Sequence, residues 1–333
     1  MSGLPPGAHW VRMPRFAGDA MMIHVATAPL RAAGFPVIAW GPAWVVDLFE
    51  GAEGYAAVVK DAERKYSPFQ AARLLRSHRP ASLINFPKSN RPMLAGFLAC
   101  VPLRLGCADG GAGLFYTHSI RFYKQDTPFV ERYASVLRGA FPELGDPPFR
   151  PYRPRPELME EASRARASFG MGDYVVLVPG ANSHSKRPSI AALVRLGRRA
   201  ADAGLGTVIL GGPGDDQELA RAIRAELPEA LDLTGKLGLA QSAAWVAEAR
   251  ALVGGDTAAT HIAGACGIPT LAVFGPTRPR HSAPFGPKVR VFRYAGLDCL
   301  ECMGFTCPVA GHPCMGTPDP GPMESAWAAL LDS

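Results

Sequence analysis

No window of this 333-residue chain holds ~18 uninterrupted apolar residues, so the sequence offers no membrane span. The opening, MSGLPPGAHW, lacks a basic stretch followed by an apolar core. That argues against a secretory leader and sets the expectation of a cytosolic protein. No GxGxxG follows the first strand-like run and no GxxxxGK[ST] occurs, which disfavours a dinucleotide-dependent oxidoreductase and a P-loop NTPase. There is no long Lys/Arg run and no nucleic-acid-binding module. Charged residues are only 19%, too few for a disordered chain.

What is present is apolar material for two packed cores, at 48% of residues. A chain of this length favours two domains. The net charge of +6 is modest and permits attraction to phosphates or to anionic lipid surfaces. The 32 prolines and 36 glycines are scattered and read as loop punctuation.

Short apolar runs alternate with helical patterns. Strands are expected at 9–14, 36–40, 55–60 and 82–86, with helices over 19–33 and 67–77. The segment PELGDPPFRPYRPRP, 142–156, carries six prolines, which disfavour helix and central strand, and is read as a linker. Beyond it a helix is expected over 157–169, then strands at 174–178, 207–210, 231–233, 251–254 and 270–274. Helices are expected over 189–203, 215–226, 240–249 and 257–266 between those strands. This is the rhythm of doubly wound α/β domains, whose ligands sit beyond the carboxyl ends of the strands.

Three strand-to-helix junctions could carry chemistry. In GGDTAATH, 254–261, two glycines precede a helix start whose free N–H groups suit a pyrophosphate. Thr257 and His261 share a face there; equally, Asp256 could be an ordinary N-cap and His261 a surface histidine. In PGANSHSKRP, 179–188, Lys186 could neutralise phosphate oxygens, with Asn182, Ser183 and Ser185 supplying hydrogen bonds, or the loop could be merely solvated and basic. In RMPRFAGDA, 12–20, Asp19 could cap a helix or act as a general base.

Seven cysteines in a cytosolic chain are expected to be reduced unless they bind metal. Cys299, Cys302, Cys307 and Cys314 form C-x2-C-x4-C-x6-C, a tetrathiolate spacing that would suit structural zinc or iron. The alternative is four reduced thiols in a loop. Cys100, Cys107 and Cys266 lie in apolar context and read as core residues.

Taken together, these segments resemble the bacterial heptosyltransferases, glycosyltransferase family 9, most closely the heptosyltransferase II branch. RMPRFAGDAMM resembles the family's strand–loop–Gly-Asp–helix opening. INFPKSNRPMLAGFLACVPLRLG, 84–106, resembles its Pro-x-Ser segment, helix and Arg-x-Gly turn. VLVPGANSHSKRP resembles the donor-side Lys loop, GGDTAATHIAGACGIPTLAVFGPTRP the most specific motif, and CLECMGFTCPVAGHPCM a cysteine-rich tail. The Trp that often follows Lys-Arg in the family is missing before Pro188.

The resemblance implies a GT-B fold: two Rossmann-like doubly wound domains facing a central cleft. The expected layout is 1–150 for the acceptor and 151–320 for the nucleotide sugar with the four-Cys tail, then a helix over 321–333 crossing back to the first domain. It implies inverting, metal-independent transfer of heptose from ADP-heptose to a lipid-linked, lipopolysaccharide inner-core acceptor, at the inner face of the inner membrane. Asp19 falls on the catalytic base position. Lys186, Asn182, Ser183, Asp256, Thr257, Ala258 and His261 fall on the donor side, with an acidic residue between Asp216 and Glu218, taken as Glu218, near the ribose. Other readings of the same fold stay open: another nucleotide sugar, a protein or capsular acceptor, a sugar-nucleotide epimerase, or a binding protein without activity.

Overall fold

A computed structural model of the chain describes residues 4–61, 67–86, 89–108, 110–121, 127–316 and 321–332. Two compact units divide it, Met1–Arg150 and Pro151–Ser333.

The first unit holds six strands: β1 (His9–Arg12), β2 (Val37–Gly41), β3 (Tyr55–Lys60), β4 (Ser82–Asn85), β5 (Leu103–Cys107) and β6 (His118–Ile120). They form one sheet in the order β3-β2-β1-β4-β5-β6, and every pairing is parallel. Between them run α1 (Ala17–Ala26), α2 (Ala28–Ala32), α3 (Ala43–Val46), α4 (Pro68–His78), α5 (Arg91–Leu98) and α6 (Phe129–Ala140). Parallel strands covered on both faces must be apolar throughout, and β2 is buried at every position.

The helix expected over 19–33 is two helices. Pro29 near the start of α2 cannot donate to an ongoing helix, and the buried Thr27 hydroxyl turns back to the carbonyls of Ile23 and His24. The helix α4 starts on a capping box of Ser67 and Gln70 and stops at Arg79, whose φ is 46°. The Arg-x-Gly expected as a turn lies inside β5. Gly106 permits it: a Cβ there would sit 1.9 Å from the Asn85 carbonyl oxygen. Pro87 and Lys88 of the neighbouring Pro-x-Ser segment lie outside the described residues.

The second unit repeats the plan. Its strands are β7 (Tyr174–Val178), β8 (Gly206–Ile209), β9 (Leu231–Asp232), β10 (Ala251–Gly254), β11 (Thr270–Val273) and β12 (Val289–Phe292). The order is β12-β11-β10-β7-β8-β9, again parallel. Its helices are α7 (Pro156–Ser168), α8 (Ile190–Asp202), α9 (Asp215–Glu226), α10 (Leu239–Ala247), α11 (Ala258–Cys266), α12 (Pro279–Ser282) and α13 (Gly321–Leu331).

The helix α13, for which the sequence suggested a return to the first unit, packs on α8 and β11 of the second. It buries Met323, Trp327 and Leu330 there, and the Trp327 indole N–H donates to the Leu196 carbonyl at 3.1 Å. Fully burying an aromatic of that size is worth about 3 kcal/mol.

Both sheets reverse their strand order once, between β1 and β4 in the first and between β7 and β10 in the second. Those two points, at the carboxyl ends of the strands, are where a doubly wound sheet opens a crevice for a ligand.

Candidate active site

The loops leaving β7 and β10 flank the reversal of the second sheet. Lys186 closes a short 3-10 turn, His184–Lys186, after β7, and Asp256 follows β10 after a single residue, Gly255. Their side chains meet, with Lys186 Nζ 2.9 Å from Asp256 Oδ2. The other carboxylate oxygen lies 3.5 Å from His261 Nε2, one turn into α11. Asp256 is only 9% exposed at its side chain. Burial works against its charge, yet the hydrogen bond and charge of His261, together with those of Lys186, outweigh burial and hold its pKa at about 2.

Asp256 is therefore not the cap of α11. Thr257 is the N-cap, with its N–H donating to Thr260 Oγ1 at 3.3 Å, and Ala258 opens the helix. His261 is buried rather than a surface residue. Among the described residues the buried Thr257 hydroxyl has no hydrogen-bond partner, and neither has that of Thr277, on the loop after the neighbouring β11. Buried hydroxyls are almost always paired, so two orphans on adjacent strand ends point to groups held ready for a ligand. Thr277 is a residue the sequence reading missed, although it ends the Phe-Gly-Pro-Thr run.

The glycines before α11 serve a purpose the sequence did not indicate. A Cβ on Gly255 would sit 2.0 Å from the Lys186 carbonyl oxygen. Gly255 thus lets the two loops touch, which is what brings Lys186 to Asp256.

Ser183 is buried and reaches the cysteine-rich tail: its hydroxyl donates to the Phe305 carbonyl at 2.7 Å. Ser185 donates to the Gly304 carbonyl, its N–H reaches Phe305 O at 3.1 Å, and His312 Nε2 lies 2.9 Å from its carbonyl oxygen. The tail is thereby stapled to the Lys186 loop. Asn182 is exposed on the same loop. Glu218 lies on the outer side of α9, paired with Arg221 at 3.8 Å and 75% exposed. The acid at the strand ends is Asp216, whose carboxylate accepts from the Gly212 N–H at 2.8 Å. A Cβ on Gly180 would meet that carboxylate at 2.0 Å.

The spacing of the four tail cysteines suggested a tetrathiolate metal site, and in the structure Cys299, Cys302 and Cys307 all bear on the Cys314 thiol. Among the described residues, no three His, Cys, Asp or Glu side chains are arranged to hold a metal ion. Cys302 is exposed, and Cys299 and Cys307 are half-buried. Cys314 is buried under Gly275, and its burial, with the neighbouring Cys299, Cys307 and Cys302, pushes its thiol up to about 11. Of the three cysteines expected in cores, Cys107 and Cys266 are buried, but Cys100 is exposed just past α5, at φ 56°.

In the first unit Asp19 occupies the first turn of α1, half-buried, where the helix dipole favours a carboxylate. It is not the cap; that position is Phe16. Burial raises the pKa of Tyr133 on α6, and the charge of Asp19 raises it further. Beside this loop, Arg12 at the end of β1 grips Asp61 through two bonds of 2.6 and 2.7 Å and lies 4.7 Å over the Trp40 ring. The sequence reading did not find this pair.

Comparison with known proteins bears on the family and the fold. The model of glycosyltransferase family 9 (heptosyltransferase) matches residues 81–312. Lipooligosaccharide heptosyltransferase 2 of Haemophilus influenzae is 27% identical over 225 residues, 63% of this chain and 64% of that protein. The chain thus matches just under two thirds of that relative's length. The solved ADP-heptose lps heptosyltransferase II of E. coli is similar in fold, with a TM-score of 0.76 at 21% identity, over 97% of this chain and 98% of that one. A family 9 glycosyl transferase from Veillonella parvula superposes with a TM-score of 0.81 at 17% identity, over 99% of each chain. The two doubly wound units are those of the GT-B fold, and the chain belongs to glycosyltransferase family 9, the heptosyltransferase family.

Proposed function

We propose that this protein transfers heptose from ADP-heptose to a lipid-linked glycan of the lipopolysaccharide inner core, with inversion at the anomeric carbon. The observation that carries the reading is the meeting of Lys186 and Asp256 beside the two unpartnered hydroxyls, at the strand-order reversal of the second sheet. Family membership and the likeness to an ADP-heptose lps heptosyltransferase II support the choice of donor and acceptor.

In this reading the diphosphate of the donor lies at the start of α11. Backbone N–H groups, the Thr257 hydroxyl and the Lys186 ammonium take up the charge that builds on the leaving group. Fixed positive charge from Lys186 fills the role a divalent cation plays in other transferases, so the chemical step needs no metal. Asp256 serves Lys186: its buried carboxylate aims the ammonium and His261 aims the carboxylate. An acceptor hydroxyl attacks the anomeric carbon, its proton passes to the Asp19 carboxylate, and the bond from that carbon to the phosphate oxygen breaks with its electron pair leaving on ADP.

The test is a donor panel. Purified protein is incubated with ADP-heptose and with UDP- and GDP-sugars, each with and without heptosylated Kdo-lipid A, while nucleotide release and product mass are followed. Release from ADP-heptose alone, dependent on the acceptor, supports the proposal. Release from another donor discards the heptose assignment, and isomerisation of free donor without acceptor replaces transfer with epimerisation.

A further inference from the structure

Basic charge is concentrated in one part of the chain. From Arg64 to Lys124 the sequence holds ten Lys or Arg against one carboxylate, Asp109. The other 25 basic and 28 acidic residues, of 35 and 29 in all, leave the rest of the chain slightly acidic. The described residues between 67 and 121 carry six arginines and no Asp or Glu. The segment supplies α4 and α5, which pack side by side, and the 3-10 helix Gly110–Phe115, which contacts α5.

That region also exposes large apolar side chains: Phe69 at 75%, Phe97 at 48% and Leu114 at 82%. Phe69, Arg73 and Arg76 fall on one face of α4 by their spacing, while Ala71, Ala72 and Leu75 are buried. Arg76 bridges to the second helix by donating to the Leu98 carbonyl at 2.6 Å. Phe97 packs edge-on against Phe115 at 5.7 Å, next to Leu114, and the Arg104 guanidinium lies 5.6 Å over its ring. Arginines and exposed apolar side chains therefore occur together on α4, α5 and the adjoining 3-10 helix.

We infer that this face of α4 and α5, with Leu114 beside it, docks on an anionic lipid bilayer; the inference rests on the reading that the acceptor is lipid-linked. Apolar side chains that enter the headgroup boundary, set among cations that pair with lipid phosphates, make an interfacial binding surface. A second copy of the chain is a poor occupant, because a two-fold contact would set these arginines against their own copies. The surface lies wholly in the first unit and uses none of the residues assigned to donor binding or proton transfer.

The test is co-sedimentation of the purified full chain with extruded vesicles of phosphatidylcholine, alone or with 30% phosphatidylglycerol. Binding is expected to the mixed vesicles and not to the neutral ones, and to fall as salt rises toward 0.5 M. Each neutralised arginine should weaken binding roughly five-fold, so Arg73→Gln with Arg76→Gln should lose roughly 25-fold. Phe97→Ser with Leu114→Ser should also weaken it, at every salt concentration. Turnover on a deacylated, water-soluble acceptor should stay that of the parent in both double variants. Equal vesicle binding by parent and both variants, or binding to neither vesicle, overturns the inference, as does self-association through this face without vesicle binding. Vesicle binding by a protein that fails to turn over ADP-heptose leaves the surface standing and removes the heptosyltransferase reading instead.

Discussion

Lys186 and Asp256, 70 residues apart in the chain, meet at 2.9 Å where the strand order of the second sheet reverses. Two loops with no sequence proximity are joined by an ion pair that Gly255 makes sterically possible. The pair therefore bears on the stability of the unit and, in the proposed function, on its chemistry.

Removing the cation should expose both roles. Lys186→Ala leaves Asp256 largely buried with His261 as its remaining partner, and a lost hydrogen bond to a charged group costs about 2 kcal/mol. The melting temperature should fall by several degrees. ADP affinity, followed by calorimetry, should drop at least tenfold, about 1.4 kcal/mol. Unchanged ADP affinity would remove Lys186 from the diphosphate site.

The acid limb of stability should carry the signature of Asp256. Its folded pKa of about 2 lies below the ordinary value of 3.8. A depressed carboxylate contributes stability above its unfolded pKa and loses it as pH falls through its folded one. The contribution, about 2 kcal/mol, should be full above pH ~4 and vanish between pH ~4 and ~2. Urea unfolding across that range should show a steeper loss for the parent than for Asp256→Asn; parallel curves would refute the assignment.

Gly255→Ala should damage both loops, since its Cβ would meet a backbone oxygen that cannot swing aside. Overpacking of this kind costs about 1–3 kcal/mol or more. The comparison is Gly212→Ala, whose Cβ would find nothing nearer than Asp216 Oδ2 at 3.7 Å. A lower melting temperature and weaker ADP binding for the first, with neither for the second, is the expected result.

Ser185→Ala should loosen the cysteine-rich tail without unfolding the unit. It removes the hydroxyl bonded to the Gly304 carbonyl and to Ser183, about 1 kcal/mol each. Amide exchange over residues 299–315 should accelerate roughly five-fold or more, while α8 and β7 keep their protection.

Much of the fold was legible because its strands are continuous apolar runs: Val175 to Val178 reads as a buried strand from sequence alone. The strand β5 was not, because Arg104 and Gly106 interrupt its pattern, and Gly106 is there to let β5 approach Asn85. Short edge strands such as β6 and β12 carry too few residues to show a period. Lys186, Asp256 and His261 were legible as a motif, but not their mutual contacts. Contacts that depend on distant partners were not legible. The bond from Ser183 to Phe305, 122 residues on, could not be read from the loop alone. Arg12 finds Asp61 across 49 residues. Glu218 and Asp216 differ only by which side of α9 they occupy, and two positions of helix phase cannot be settled from a loosely placed motif.

The most direct test of the central claim is acceptor-dependent ADP release from ADP-heptose by the parent protein and by Asp19→Asn, with product mass read alongside. The account predicts release only with the lipid-linked acceptor, a product heavier by one heptose, and a fall of roughly 10²–10⁴ in the variant. Near-normal turnover by Asp19→Asn would contradict the role of Asp19, and no release from this donor and acceptor would contradict heptosyl transfer itself.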